Sequence, residues 1–283
     1  MRSILRFLKR IWFFSFLRRL YVAGKYYHFR YWQILKWGIA SREHTNFTYE
    51  LKPENLAYLA SLIAVVTKKD YTEILNYIKE GQNDSELKEQ INKAREGSRL
   101  KNHADKEIHF GRRLGWYAFA RVMKPKVVVE TGVDKGLGSM LMCAAVLKNK
   151  EEGHEGKYYG TDINPAAGYL LSGKYKEVGE ILYGDSIASL SKMEEKIDLF
   201  INDSDHSATY EYDEYQTIKK LLNNDTIILG DNAHLTDKLF LFAREENLDF
   251  VFFKEDPHNH WYPGAGIGIA FNSNLINKKE REV

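Results

Sequence analysis

Five acidic stations recur through the second half of the chain, each at or just after the end of a short apolar run. They are Glu130-Thr131-Gly132-Val133-Asp134-Lys135-Gly136-Leu137-Gly138, then Asp162, then Gly184-Asp185-Ser186, then Asn202-Asp203-Ser204-Asp205-His206, and last Gly230-Asp231-Asn232-Ala233-His234. A carboxylate at such a place accepts hydrogen bonds from ribose hydroxyls, glycines let the backbone turn and approach a ligand at a helix N-terminus, and an imidazole titrates near neutral pH. Each carboxylate taken alone reads as a helix cap or a solvated turn residue. Five in equivalent places are hard to attribute to capping. The glycine spacing fits neither the dinucleotide nor the P-loop pattern, and a rim of negative charge disfavours a phosphate ligand. A cationic nucleoside suits it better.

The runs before these stations, Val127–Thr131, Lys157–Asp162, Glu180–Tyr183, Ile197–Asn202 and Thr226–Leu229, are separated by helix-length segments. That alternation predicts a parallel sheet covered on both faces, with ligands bound beyond the carboxyl ends of the strands. Phe250–Phe253 and Ile267–Phe271 follow with a short Pro-, Gly- and His-containing link, which predicts an antiparallel hairpin at the sheet edge. The fold class is therefore α/β, a doubly wound, mostly parallel seven-stranded sheet with an antiparallel edge hairpin and an N-terminal helical extension. Ahead of the sheet, Leu56, Leu59, Ala60, Ile63 and Ala64 after Pro53, then Tyr71–Glu80, Ser85–Arg95 and Lys106–Met123, predict four helices. They read as a preface covering a pocket in the body. The organisation expected is an arm over 1–42, the helical preface over 43–124 and the ligand-binding domain over 125–283.

With these residues in view, Lys126 to Phe271 resembles the class I S-adenosylmethionine-dependent methyltransferases, a Rossmann-like fold. Glu130 to Gly138, with Gly132 and Gly136, is similar to the family's first motif, which cradles the methionine part of the cofactor. The resemblance implies that Asp162 holds the ribose hydroxyls and that Asp185 and Ser186 lie beside the adenine. Asp203-Ser204-Asp205-His206 resembles the D-x-D-H segment of a subgroup that includes sugar and antibiotic O-methyltransferases. In metal-dependent members of that subgroup a histidine at this offset is the base, and the first aspartate and an acidic pair after the fifth strand surround magnesium. This chain keeps Asp203 and Asp231 but has Gly230 at the pair's first place. A Mg2+ expected here would rest on Asp203 and Asp231 with water, which magnesium tolerates.

Methyl transfer from a sulfonium to oxygen requires the acceptor to lose a proton, so an alcohol needs a base or a metal. His206 is the base candidate, with Asp203 beside it. For the acceptor, Asp256-Pro257-His258-Asn259-His260-Trp261-Tyr262-Pro263-Gly264 reads as a wall for a polar ring such as a sugar, or as a plug between hairpin and sheet. His234, His258, His260, Trp261, Tyr262 and Arg112 are the candidate acceptor contacts, with His109 and Arg113 able to join them.

Composition sets the two ends of the molecule apart. The chain has 283 residues, 44% hydrophobic and 28% charged, with a single cysteine, Cys143, so an internal disulfide and a CxxC redox pair are excluded. Ten basic residues precede the first acid, Glu43, leaving 31 basic and 39 acidic residues in the rest. Residues 1–37 hold twelve aromatics. Stepping 100° per residue, Ile4, Leu5, Phe7, Leu8, Ile11 and Trp12 share one arc and Arg2, Arg6, Lys9 and Arg10 the opposite one. The longest uncharged run, Ile11–Leu17, is far shorter than the roughly 20 residues that span a bilayer. The arm is expected either to lie in the headgroup layer of an anionic membrane face or to pack on the body or on a second subunit of a homo-oligomer. Nucleic acid is not expected.

The reading these residues support is O-methylation of a sugar, glycan or glycolipid hydroxyl with S-adenosylmethionine, in the cytoplasm or at the inner membrane face. Two other classes compete. An NAD-dependent oxidoreductase would use Asp162 equally well, against the glycine spacing; a non-catalytic scaffold would use the arm for recruitment.

Overall fold

The computed structural model describes residues 12–43, 48–205 and 207–273. Seven strands form one sheet: β1 (Val127–Thr131), β2 (Lys157–Asp162), β3 (Gly179–Tyr183), β4 (Ile197–Asn202), β5 (Leu222–Gly230), β6 (Asp249–Lys254) and β7 (Gly266–Phe271). Their order is β3-β2-β1-β4-β5-β7-β6. The first five are parallel, while β7 runs antiparallel to both β5 and β6. The expected sheet and edge hairpin are both present. Every residue of β1 and of β7 is buried, as a strand covered on both faces requires, and β-branched side chains fill that space well.

Helices α1 (Trp12–Gly24), α2 (His28–Ala40), α3 (Pro53–Thr67), α4 (Tyr71–Asn83), α5 (Ser85–Gly97) and α6 (Arg113–Met123) precede the sheet. Helices α7 (Leu137–Glu151), α8 (Ser186–Lys192), α9 (Ala208–Ile218) and α10 (Lys238–Glu245) alternate with the strands. One apolar core joins α3 to α7 with one face of the sheet, through Leu59, Ile63, Ile74, Trp116, Leu141 and Ile267. A second core sets Leu190, Tyr215, Phe242 and Ile228 on the other face. Each such side chain contributes about 1.5–3 kcal/mol by leaving water.

In the preface, α3 to α6 pack side by side and onto α7, completing the helical layer on that face, while Tyr49, Arg112 and Arg113 line the main cavity. One expectation changes here: the helix expected from Lys106 does not start there. It begins at Arg113, because Gly111 sits at φ +53°, a left-handed conformation outside the helical region, where a Cβ would press to 2.9 Å from the Tyr49 ring. That kink turns Arg112 and Arg113 toward the carboxyl ends of the strands, where both line the main cavity.

The amphipathic stripe expected from Ile4 to Ile11 lies outside the described residues. From Trp12 on, the arm is two helices, α1 and α2, neither of which has a buried residue. No helix among the described residues is long and apolar enough to cross a membrane.

Candidate active site

The loops beyond β1, β2, β3, β4 and β5 enclose a cavity of about 760 Å³, within the size range of small-molecule sites. Its lining includes the acid and glycine stations Gly132, Asp134, Asp162, Asp185, Ser186, Asp203, Asp205 and Asp231, together with Tyr49, Arg112, Arg113, His234, Leu235 and Tyr262. The five stations do converge.

The glycine turn after β1 is built by close backbone approach. Gly132 has φ +81° and donates its N–H to the Thr161 carbonyl at 2.9 Å, and a Cβ there would collide with the Asp203 carbonyl. Gly136 caps the N-terminus of α7 and Gly138 lies in its first turn, against the Glu130 carboxylate. Glu130 is not a cavity wall. It is buried beneath the turn, accepts from the Tyr158 hydroxyl at 2.5 Å, and burial pushes its carboxyl up to about 7. Its place is under the loop rather than against a ligand.

Asp162 accepts from the backbone N–H of Asp134 (2.9 Å) and of Asn164 (2.8 Å), which fixes its carboxylate at the rim. Asp185 caps α8, accepting from the Ala188 N–H at 2.7 Å and from the Tyr210 hydroxyl at 2.9 Å. It is thus both a helix cap and a cavity wall. Ser186 is hydrogen-bonded to Tyr210 (2.8 Å) and donates to Glu214.

Glu214 was not legible as a site residue, yet it organises this end of the sheet. Its buried carboxylate accepts from Ser186, from Thr131 (3.2 Å), from the Asn202 amide (2.5 Å) and from Ser204 (2.6 Å). Burial still raises its pKa against those four donors. Glu211, Glu214, Tyr215 and Ile218 form the buried face of α9, and their three- and four-residue spacing is the signal that a run of charge and tyrosine conceals.

Asp203 and Asp231 face each other at the far end. The Arg112 guanidinium holds Asp231 with two nitrogens, Nε to Oδ1 at 2.5 Å and Nη2 to Oδ2. Its third nitrogen donates to the Tyr49 hydroxyl (3.1 Å) and to Glu255 (3.2 Å). Arg113 Nη2 lies 3.5 Å from Asp203 and its guanidinium over the Trp116 ring. Burial and the neighbouring Asp231 raise the Asp203 carboxyl well above the ordinary range, whereas Asp231, although desolvated, is held lower by Arg112. Tyr49 and Glu255 had no signature in the sequence; their roles depend on a contact across some 200 residues of chain, Tyr49 donating to Glu255 at 2.8 Å.

These pairings bear on the expected metal. The acceptor electrons of Asp231 are engaged by a bidentate arginine and Asp203 carries its own guanidinium. No group of three or more His, Cys, Asp or Glu among the described residues is placed to hold a metal ion. The donor set does not fit Mg2+.

His206 lies outside the described residues. His234 lies on the cavity, its Nδ1 3.1 Å from the Asp231 carbonyl. Burial lowers its pKa below the usual 6.5. A carbonyl can only accept, so Nδ1 carries the proton and the neutral ring keeps a lone pair on Nε2. Of the remaining acceptor candidates, Tyr262 lines the cavity. His260 and Trp261 line a separate space of about 510 Å³ under α2 together with His109. His258 is exposed and bonded to Asn259. Burial lowers the pKa of His260, whose Nδ1 accepts from the Tyr262 N–H at 3.1 Å.

Sheet order, glycine turn and acid-lined rim are those of a Rossmann-like α/β fold with its cavity at the strand ends. Residues 129–233 match a family described as a methyltransferase domain, as the class-level resemblance read from the sequence implies. No curated protein matches the chain. Among solved structures it is similar to a methyltransferase of Podospora anserina bound to S-adenosylhomocysteine, at 19% identity and TM-score 0.47, covering 67% of this chain and 88% of that one. It is similar too to the O-methyltransferase TomG of Streptomyces achromogenes, involved in tomaymycin synthesis and in complex with S-adenosylmethionine (14%, 0.45, 68% and 92%). A third is the O-methyltransferase of Bacillus cereus in complex with S-adenosylhomocysteine (12%, 0.43, 77% and 98%).

Proposed function

We propose that the protein transfers a methyl group from S-adenosylmethionine to a hydroxyl oxygen, with a sugar or glycan as acceptor. The observation that carries this is the convergence of Gly132, Asp162, Asp185, Asp203 and Asp231 on one cavity that an imidazole and two tyrosines also line. The cofactor, when bound, supplies a methyl group on a positively charged sulfur. The residues present fit it: Asp162 offers carboxylate oxygens to ribose hydroxyls, Asp185 and Ser186 stand at the neighbouring strand end for the adenine, and the Gly132 turn admits the chain of the methionine part. Cation attraction favours this rim, since Asp134, Asp162, Asp185 and Asp205 exceed what Arg112 and Arg113 neutralise.

The acceptor side is Tyr49, Tyr262, His234 and Leu235. Flat rings with hydroxyls suit a sugar, giving an apolar face and hydrogen bonds together. His234 Nε2 would take the proton of the acceptor hydroxyl, while the methyl group passes from sulfur to that oxygen and the sulfonium is left as a neutral thioether, a role that needs the ring neutral at working pH. Its depressed pKa provides that. His206, the base that the sequence offers, is tested beside it. Arg112 holds Asp231, and with it the carbonyl to which His234 is bonded, so it positions the base.

The test is calorimetry with S-adenosylhomocysteine, followed by turnover of labelled S-adenosylmethionine over an envelope glycan extract. Binding and label in a glycan are expected. A folded protein giving no heat with S-adenosylhomocysteine overturns the cofactor; protection by NAD in its place favours the oxidoreductase.

A further inference from the structure

The arm carries a surface that the catalytic reading does not use. Helix α2 is seated on the body by one side only: the Trp37 ring meets the Trp261 ring edge-on at 5.3 Å. Trp32, Leu35 and Ile39 stand about 160–220° around the helix from Trp37, so they point away from the body, and they are 67%, 54% and 79% exposed. Helix α1 adds Trp12, Phe13, Phe16, Leu17 and Leu20 within an arc of about 140°, with Arg19 at its edge and Arg18 on the other side. Apolar side chains are thus gathered on faces that none of the described residues covers. Patches of this kind mark interaction sites.

Charge identifies the occupant. Arg18, Arg19, Lys25, Arg30, Lys36 and Arg42 lie along the described arm, and no Asp or Glu occurs before Glu43. Two arms brought face to face would oppose like charges. An anionic bilayer presents the opposite charge to the basic side chains and an apolar interior to the exposed rings, and Trp and Tyr favour the level between the two. We infer that α1 and α2 dock the protein on an anionic lipid surface, with Trp32, Leu35 and Ile39 entering the acyl boundary. The Trp37–Trp261 contact then holds that surface beside the loop that carries Tyr262 into the cavity.

The experiment is sedimentation of the full chain with vesicles of phosphatidylcholine alone or with about one third phosphatidylglycerol. Binding is expected only to the anionic vesicles, falling with added salt as screening requires. Trp32→Ser/Leu35→Ser/Ile39→Ser should lower partitioning at least about tenfold, and Arg19→Gln or Lys36→Gln, which flank the apolar faces, about fivefold each. Unchanged melting and S-adenosylhomocysteine affinity in the variants show that the fold is intact. Protein left in the supernatant with anionic vesicles overturns the inference, as does a triple variant that sediments like the parent. A lipid-independent dimer in sedimentation velocity that the triple variant dissociates, with no vesicle binding, overturns it in favour of a second copy. Because cofactor affinity is measured separately, loss of lipid binding and loss of the methyltransferase reading are distinguishable results.

Discussion

The arm and the cavity rim break the usual partition of residues in opposite senses. In the arm, tryptophans and leucines face water across α1 and α2. At the rim, Glu130, Glu214, Asp231 and Glu255 are buried. Ordinary surface and core residues say little about function; a buried charge and an exposed apolar patch do. The rim tolerates its charges largely by internal pairing: Tyr158 on Glu130, hydroxyls and an amide on Glu214, and Arg112 on Asp231 and one oxygen of Glu255. The exposed rings of the arm have no comparable cover among the described residues. The buried charges of the rim are therefore met largely within the molecule, whereas the exposed face of the arm is not.

The largest effect should come from breaking the internal pairing. Arg112→Met leaves Asp231 and Glu255 desolvated without their cation and should cost about 3–5 kcal/mol of stability in urea unfolding. If the loss is below about 1 kcal/mol, the rim is not self-neutralised. His234→Ala should keep S-adenosylhomocysteine affinity while lowering kcat by about a hundredfold or more. In the parent, kcat/KM should fall only as pH drops below 6.5, since burial lowers the pKa and the neutral ring is the working form. Full activity in His234→Ala with loss in His206→Ala would return the base role to His206.

Glu130→Gln sharpens the comparison by a few degrees of melting temperature. The folded carboxyl titrates at about 7 against an ordinary 4.5, so the folded state holds the proton more tightly. Stability from this group is full below pH 4.5 and is lost as pH rises through 7. Gln still accepts from Tyr158, so the variant should gain on the parent between about pH 5 and 8 and not below about pH 4. The arm supplies the smallest effect: Trp32→Ser/Leu35→Ser/Ile39→Ser should leave the melting temperature nearly unchanged, because these side chains are largely exposed. EDTA should likewise leave turnover unchanged, given the arginines on Asp203 and Asp231.

Much of the sheet was legible because its strands are short, β-branched and set between helical segments. Val127–Thr131, Lys157–Asp162 and Ile197–Asn202 have the bounds expected of them. Their acidic ends could be read with them, since a strand end fixes where its next residue points. The helix beginning at Arg113 was misplaced, as apolar periodicity carries no trace of the left-handed Gly111. Arg112 read as an acceptor contact, and only long-range packing reveals that its guanidinium is spent on Asp231, Tyr49 and Glu255. His258, His260 and Trp261 lay near the right loop and on the wrong side of it. Composition sees a wall but not which cavity it faces.

The segment from Glu255 to Ala265 hangs between β6 and β7, which are bonded through six register pairs from Asp249–Phe271 to Lys254–Gly266. Lys254 Nζ donates to the Pro263 carbonyl at 3.1 Å, which ties the end of the loop back to β6. Asn259 to Tyr262 can therefore be exchanged as a cassette between fixed ends, with Glu255 kept for Arg112 and the acidic strand ends left alone.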